Sequence, residues 1–417
     1  MAFPHRPRGG ESEEYLNLDN ITKQFIRENL NADVPTLALK KAPVGTDVSL
    51  ALRQIAARQL LQTKVPQWAN NEDLLFPAHL SIEQCSSEAS AKYKASLLQG
   101  QTFADLTGGL GIDTYYISQH FQQADYVERQ AELCDMARQN FEVLKSDVKV
   151  WNETAEDYLK HCEPKDCLFI DPARRDEHGR KTVSIADCTP DVAALQDVLL
   201  QKAERVLVKL SPMLDISKAL EELRHVKEVH VVAVASECKE LDVVLERDYQ
   251  GEVHFVCVNL MTNQLKLCFT QEEERNCLSQ IADDVLNYLY EPNPAVMKAG
   301  CFKLLTYRFH VFKLHKNSNL YTSERLVPDF PGRIFEVEGS ASYNKKVKQT
   351  LLSDVEKASI AVRNFPLSVV ELRKTLKISD GDETYLFATT LKGEEKVIIR
   401  TKKATSDEAA SDGLNKE

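Results

Sequence analysis

Thr102-Phe103-Ala104-Asp105-Leu106-Thr107-Gly108-Gly109-Leu110-Gly111-Ile112-Asp113 reads as an apolar strand, a glycine turn and the first residues of a helix. Glycine lets a backbone bend sharply and approach a ligand with no Cβ in the way. A dinucleotide pyrophosphate seated on the helix N-terminus calls for a third glycine on the GxGxxG spacing, but Ile112-Asp113-Thr114 follows Gly111. A carboxylate at that helix start repels phosphate. The turn therefore suits a ligand that carries an amine.

Strands and helices alternate outward from this turn. Ala124 to Val127, Val148 to Trp151, Cys167 to Ile170, Val206 to Leu210 and Val229 to Val234 read as further strands. Helices are expected between them at Asp113 to Phe121, Gln130 to Leu144, Glu153 to His161, Pro190 to Lys202 and Ile216 to Leu223. Such βαβ grammar implies an α/β fold whose sheet is doubly wound, mostly parallel and covered on both faces. After residue 238 the pattern turns to hairpins at Leu241 to Glu246, Val253 to Leu260 and Leu265 to Phe269, and a helix is expected from Glu272 to Tyr290, stopped by Pro292 and Pro294. Upstream, apolar residues in Leu50 to Leu61 recur at helical spacing until Pro66.

The expected organisation is an N-terminal helical segment over 1–80, a nucleotide-type domain over 81–270, α+β modules over 271–324 and 325–403, and a disordered polar tail over 404–417.

Two carboxylates stand at strand ends. Glu128 follows the second strand 17 positions after Gly111, where a ribose with two free hydroxyls can be gripped; otherwise it is a solvated partner of Arg129. Asp171, in Phe169-Ile170-Asp171-Pro172-Ala173-Arg174-Arg175, closes the fourth strand on the ligand-binding edge of such a sheet. Its carboxylate and the Pro172 carbonyl can hold an exocyclic amine beside a group donor. The plainer reading is an Asp-Pro turn with an Asp171–Arg pair. Arg174 and Arg175 suit a phosphate or balance Asp171 and Asp176.

A length of 417 residues suggests two to four domains, and an apolar fraction of 43% supports packed cores. No run reaches the ~18 apolar residues of a membrane span, and Met1 to Arg6 lacks an apolar signal core, so a cytoplasmic protein is expected. The ten cysteines form no CxxC pair, which argues against a zinc site. A net charge of -11 argues against a protein that coats nucleic acid indiscriminately. Charge is uneven, however. No acidic residue lies between Glu291 and Glu324, where Lys298, Lys303, Arg308, Lys313 and Lys316 alternate with Phe302, Tyr307, Phe309, Phe312 and Tyr321. That stretch can meet an anionic partner, or its aromatics can be core positions of a small sheet with the lysines solvated on the other face. Residues 325–403 hold 15 Lys and Arg against 11 Asp and Glu, a mildly basic segment in an acidic chain.

The elements Asp105 to Thr114, Tyr126-Val127-Glu128-Arg129 and Asp171-Pro172-Ala173-Arg174-Arg175, in this order, resemble the class I S-adenosylmethionine (SAM)-dependent methyltransferases over roughly 81–270. Within them the chain is similar to a bacterial group with a C-terminal THUMP-like domain, on the runs Arg363-Asn-Phe-Pro-Leu, Glu371-Leu-Arg-Lys-Thr-Leu and Asp380-Gly-Asp-Glu-Thr-Tyr-Leu-Phe, with a ferredoxin-like piece near 275–322. The resemblance implies a Rossmann-like sheet of seven strands and S-adenosyl-L-methionine held by Asp105, Thr107, Gly108, Gly109, Gly111, Asp113, Glu128 and Arg129, with Thr154 or Ala155 near the adenine. It also implies Asp171, Pro172 and Arg174 at the reacting centre, no metal, and RNA (tRNA or rRNA) as partner, met by the basic stretch Lys298 to Lys316.

Amine-methylating relatives show Asn or Asp, Pro, Pro and an aromatic that stacks on the target base; here Ala173 and Arg174 take the last two places. Base stacking must come from elsewhere or from an Arg plane. A related group attacks a pyrimidine with a Cys after the fifth strand, where this chain has Ser211, a poor nucleophile without a base. Cys188 reads as a packed thiol. The sequence leaves open a protein or small-molecule substrate, and an RNA-binding protein whose methyltransferase fold is a scaffold.

Overall fold

The computed structural model describes residues 18–77, 85–174 and 184–404. The expected tail from Thr405 on, Arg175 and the start of the N-terminal segment lie outside them. The chain divides into two compact units, 1–226 with 242–250, and 227–241 with 251–417.

The first unit carries the glycine turn. Its strands are β1 (Thr102–Asp105), β2 (Gln123–Val127), β3 (Val148–Trp151), β4 (Lys165–Ile170), the short antiparallel pair β5 (Ala173–Arg174) and β6 (Cys188–Thr189), and β7 (Ala203–Leu210). Five of them are parallel, in the order β7-β4-β1-β2-β3. Consecutive strands are joined by helices because each edge-to-edge return in a parallel sheet needs a crossover. The carboxyl ends of β1, β2, β4 and β7 therefore meet along one edge.

Residues 18–77 fold as α1 (Asn20–Glu28), α2 (Val34–Ala38), α3 (Val48–Lys64) and α4 (Pro66–Ala69). Asp19, Asp33 and Asp47 each accept a backbone N–H at the start of α1, α2 and α3, which fixes where those helices begin. This segment does not stand apart. Leu61, Val65 and Trp68 share a core with Phe103, Phe169 and Leu207 of the sheet, together with Ala91 and Ala95 of α5 (Glu88–Ala95) and Ile117 of α6 (Ile112–Ser118). Arg58, almost fully buried, donates to the carbonyls of Ala69, Asn71 and Leu74 and so shapes the chain that leaves α4; burial pulls its pKa down to about 10. Asn140 of α7 (Ala131–Val143) exchanges two 2.8 Å hydrogen bonds with the Leu75 backbone. The remaining helices of this unit are α8 (Ala155–His161), α9 (Val192–Lys202) and α10 (Ile216–Glu222).

In the second unit, β8 (Val226–Val234) runs parallel to β10 (His254–Leu260), which pairs antiparallel with β11 (Leu267–Thr270); β9 (Glu237–Glu246) follows β8 in the chain and belongs to the first unit from Asp242 on. The helix expected over Glu272 to Tyr290 is only α11 (Gln271–Asn276), opened by a Thr270/Glu273 capping box. Tyr288–Pro292 is instead the strand β12, because its backbone is paired along both edges: Tyr290 is level with Tyr321 on one side and with Ile334 on the other. Helical apolar spacing loses to that pairing. A second sheet of seven strands follows, in the order β13-β14-β12-β15-β18-β17-β16, with β13 (Phe312–His315), β14 (Ser318–Ser323), β15 (Gly332–Ser342), β16 (Ser359–Val362), β17 (Tyr385–Thr390) and β18 (Lys396–Lys403). Among the described residues no helix is long and apolar enough to cross a membrane.

Candidate functional site

The turn after β1 is fixed by backbone hydrogen bonds and by one aromatic ring. Gly108 N–H donates to the Val127 carbonyl at 2.9 Å, and Gly111 N–H closes on Gly108 at 2.8 Å. A Cβ on Gly108 would stand 2.2 Å from the Tyr126 ring, so no larger residue fits there without displacing it. Tyr126 in turn donates its hydroxyl to the Gly109 carbonyl at 2.6 Å and rests edge-on against Phe141. Gly109 and Gly111 have φ of +53° and +82°, the left-handed region that glycine enters at no steric cost. Among the described residues, a Cβ on Gly109 would meet nothing nearer than the Thr107 carbonyl at 3.7 Å. Among the described residues, the space before the turn is thus open while the space behind it is filled.

Asp105 is 1% exposed and faces inward. Its oxygens accept from Thr107 N–H at 2.9 Å and from the Thr114 hydroxyl at 2.6 Å. Burial pushes this carboxyl up to about 7, against the pull of those two donors, and Asp113 and Asp171 nearby push the same way. Asp105 thereby ties the strand end to the helix start and shapes the turn.

Asp113 is turned toward α5. It accepts from Ser86 at 2.6 Å and pairs with the fully buried Lys94 at 3.2 Å. Burial alone would raise its carboxyl, but Lys94, Lys209 and the Ser86 hydroxyl hold it below the ordinary range. Breaking a buried pair of this kind costs about 3–5 kcal/mol. The charge expected to repel phosphate is therefore answered from within the fold.

Glu128, 8% exposed, stands at the end of β2 and reaches across to the turn. Its Oε2 accepts from Gly109 N–H at 3.1 Å and its Oε1 from Gln130 N–H at 2.9 Å. Each carboxylate oxygen can accept a second hydrogen bond. The Glu128 carbonyl accepts from Glu153 N–H at 3.1 Å, which brings the start of α8 beside it; there Thr154 caps the helix through Asp157 N–H, and Ala155 is buried. Arg129 is exposed.

Asp171 follows β4 and is held to the turn, its N–H donating to the Thr107 hydroxyl at 2.7 Å. Its carboxylate meets Lys209 of β7, with Nζ 2.5 Å from Oδ2. Lys209 is thus a partner of Asp171 among the described residues, while the Asp171–Arg pairing considered from sequence falls on side chains outside them. Pro172 is buried and Ala173 exposed; β5 carries the backbone of Arg174, whose side chain lies outside the described residues. Cys188, opposite Arg174 in β6, is buried.

One edge thus gathers Asp105, Thr107, Gly108, Gly109, Gly111, Glu128 and Asp171. Sequence reasoning missed Lys209, Lys94 and Tyr126. A lysine inside Val206-Leu-Val-Lys-Leu was the available signal, since a cation in an apolar strand needs a partner.

The basic stretch is described within the second unit. Phe302–Arg308 is a helix, α13, after α12 (Pro294–Ala299), so these residues are not the strand of a small sheet. The expected division, aromatics inside and lysines outside, is inverted at β13: Phe312 is 36% exposed and Lys313 only 5%. Backbones flank Lys313 on both sides, Ile281 and Tyr321, and its ammonium donates to the Lys316 carbonyl at 3.1 Å and to Asn319 at 3.2 Å. Burial holds its pKa below the usual lysine range. Arg308 pairs with Glu273, and Lys303 donates to the Arg275 carbonyl. Lys298 is half-buried and Lys316 exposed. The acidic partner of Arg308 and the carbonyl partner of Lys303 come from α11, a separate part of the chain, whereas Lys313 finds its acceptors within the stretch. Among the described residues no group of His, Cys, Asp and Glu is placed to hold a metal.

Known proteins resemble the chain at two levels. A ferredoxin-like domain model matches 288–331 and a THUMP domain-like model matches 332–403. A protein from Porphyromonas gingivalis W83, its crystal structure provisionally described as that of a methyltransferase, is 36% identical over 92% of this chain and 98% of its own, with a TM-score of 0.83. Slighter likenesses include a class I SAM-dependent methyltransferase assignment from Listeria monocytogenes (11% identity, 58% of this chain and 94% of that one, TM-score 0.36). An rRNA methylase from Streptococcus thermophilus is also similar (16%, 38% and 94%, TM-score 0.29). No curated protein sequence matches the chain.

Proposed function

The chain belongs to the class I SAM-dependent methyltransferases that carry a C-terminal THUMP-like domain, and from that premise we propose that it transfers the methyl group of SAM directly to a nitrogen of an RNA base. One observation carries the reading: an open glycine turn, the Glu128 carboxylate and the Asp171 carboxylate converge on a single sheet edge.

The cradle fits SAM by the chemistry of its walls. Gly109 leaves the front of the turn without a side chain, and Glu128 has acceptor capacity for ribose hydroxyls. Thr154 and Ala155 stand on the side where an adenine would rest. The bound cofactor supplies a methyl group on a positively charged sulfur, an electrophile that needs no further activation. The chain's own task is alignment, the larger part of the rate in an in-line displacement. Asp171 and the Pro172 carbonyl accept from the N–H of the target and point its lone pair at the methyl group. An arginine plane against the base, the part expected of Arg174 from sequence, falls on a side chain outside the described residues. The exposed cations of the second unit, Lys316 foremost, and the basic THUMP-like segment would meet the RNA backbone.

The test is transfer from tritiated SAM to RNA of cells lacking the protein, followed by mass spectrometry of the nucleosides. We expect label in one methylated base. Asp171→Asn, which preserves volume, should lower turnover about 100-fold and leave SAM affinity within about threefold. Equal losses in both, or in neither, would contradict the assigned role.

A further inference from the structure

Lys209 lies one residue before the end of β7, after Val206, Leu207 and Val208, none of which has any exposed surface. In the parallel pairing of β4 with β7, Ile170 is level with Val208, so Asp171 and Lys209 are the next residues on each strand. The ammonium sits 2.5 Å from Asp171 Oδ2, with the lysine side chain 11% exposed and the aspartate side chain 36% exposed. The pair therefore has a buried cationic end and an acidic end that reaches solvent.

The surroundings explain why the cation is stable there. The positive charge of Lys209, with that of Lys94, also holds the Asp113 carboxyl of α6 below its ordinary range. Cys85, ahead of α5, also feels its charge. Asp171 is constrained twice, at its backbone by the Thr107 hydroxyl and at its side chain by Lys209. An acceptor held at both ends loses little freedom when substrate arrives, the form of preorganisation that lowers a barrier.

We propose that Lys209 is a positioning residue for methyl transfer: it holds Oδ2 of Asp171 so that Oδ1 is presented to the N–H of the target. This rests on the function proposed above. In the step, the target nitrogen's lone pair forms the new bond to the methyl carbon. The electron pair of the broken carbon–sulfur bond stays on sulfur. The proton shed by the nitrogen goes to Asp171 Oδ1 and then to water. Lys209 touches neither methyl donor nor target. It acts through Asp171.

The experiment compares the unaltered protein with Lys209→Met and Lys209→Arg in three measurements: tritiated-SAM transfer to RNA of cells lacking the protein, calorimetry with S-adenosylhomocysteine, and crystal structures of the variants. Lys209→Met should lower kcat about 100-fold, with KM for RNA and S-adenosylhomocysteine affinity each within about threefold. Lys209→Arg, which retains a donor to Oδ2, should recover at least about a tenth of the rate. In crystals of Lys209→Met the Asp171 side chain should leave the orientation it has beside Lys209 while the 105–111 turn is unchanged. A full kcat in Lys209→Met, or an unmoved Asp171, would overturn the proposal. So would a loss of S-adenosylhomocysteine binding as large as the loss of rate. The crystal and calorimetric results need no RNA, so a protein that methylates no RNA would tell against the earlier reading while these two still decide this one.

Discussion

The Asp105–Gly111 turn and the Lys298–Lys316 stretch are both conspicuous in the sequence, yet they behave oppositely in the structure. At the turn, residue type is dictated by backbone geometry: Gly108 because Tyr126 leaves no room for a Cβ, Gly109 and Gly111 because φ is positive. In the stretch, residue type leaves the geometry open. Lys313 is buried with its ammonium on the Lys316 carbonyl and Asn319, Arg308 is engaged by Glu273 of α11, and Lys316 is exposed. A pattern that constrains the main chain can be read locally. A pattern of charge cannot, because its partners arrive from elsewhere in the chain.

The largest way to break that comparison is at Gly108. Gly108→Ala forces a Cβ to within 2.2 Å of the Tyr126 ring. Overpacking of this kind costs about 1–3 kcal/mol, so the thermal midpoint should fall by roughly 5 °C and S-adenosylhomocysteine binding should be lost. The counterpart is Gly393→Ala in the second unit, where an added Cβ meets nothing within 4 Å among the described residues and which should unfold like the unaltered protein. Equal midpoints for the two variants would mean that the turn is not set by steric necessity.

A smaller effect sharpens the other side. If exposed cations alone meet RNA, Lys316→Ala should reduce the salt dependence of RNA binding by about one counterion, measured as the slope of log affinity against log salt. Lys313→Met should leave that slope unchanged, since its ammonium is directed inward. The same slope for both variants would show that burial does not sort these lysines.

The same contrast explains what was legible in the sequence. The α/β alternation, the strand ends carrying Glu128 and Asp171, and the turn between β1 and α6 follow from periodicity and from glycine, and they are visible one segment at a time. The packing of 18–77 onto the sheet was not visible, because it depends on Arg58 gathering carbonyls and Asn140 binding Leu75 across 65 positions. The helix expected over Glu272 to Tyr290 gives way to strand from Tyr288 because the strand neighbours of Tyr288–Pro292 lie 31 to 48 positions downstream. Lys209 was passed over for the same reason. Its partner is 38 positions away, and only the parallel register of β4 and β7 brings them side by side.

The central claim is that the open turn and Glu128 together form a seat for a sulfonium amino acid joined to a nucleoside. Titration calorimetry with SAM and with S-adenosylhomocysteine tests it most directly. The account predicts saturable binding of both at one site, weakened about 100-fold in Glu128→Ala by loss of charge-assisted hydrogen bonds. No heat with either compound, alongside clear uptake of NAD or a nucleoside triphosphate, would contradict it.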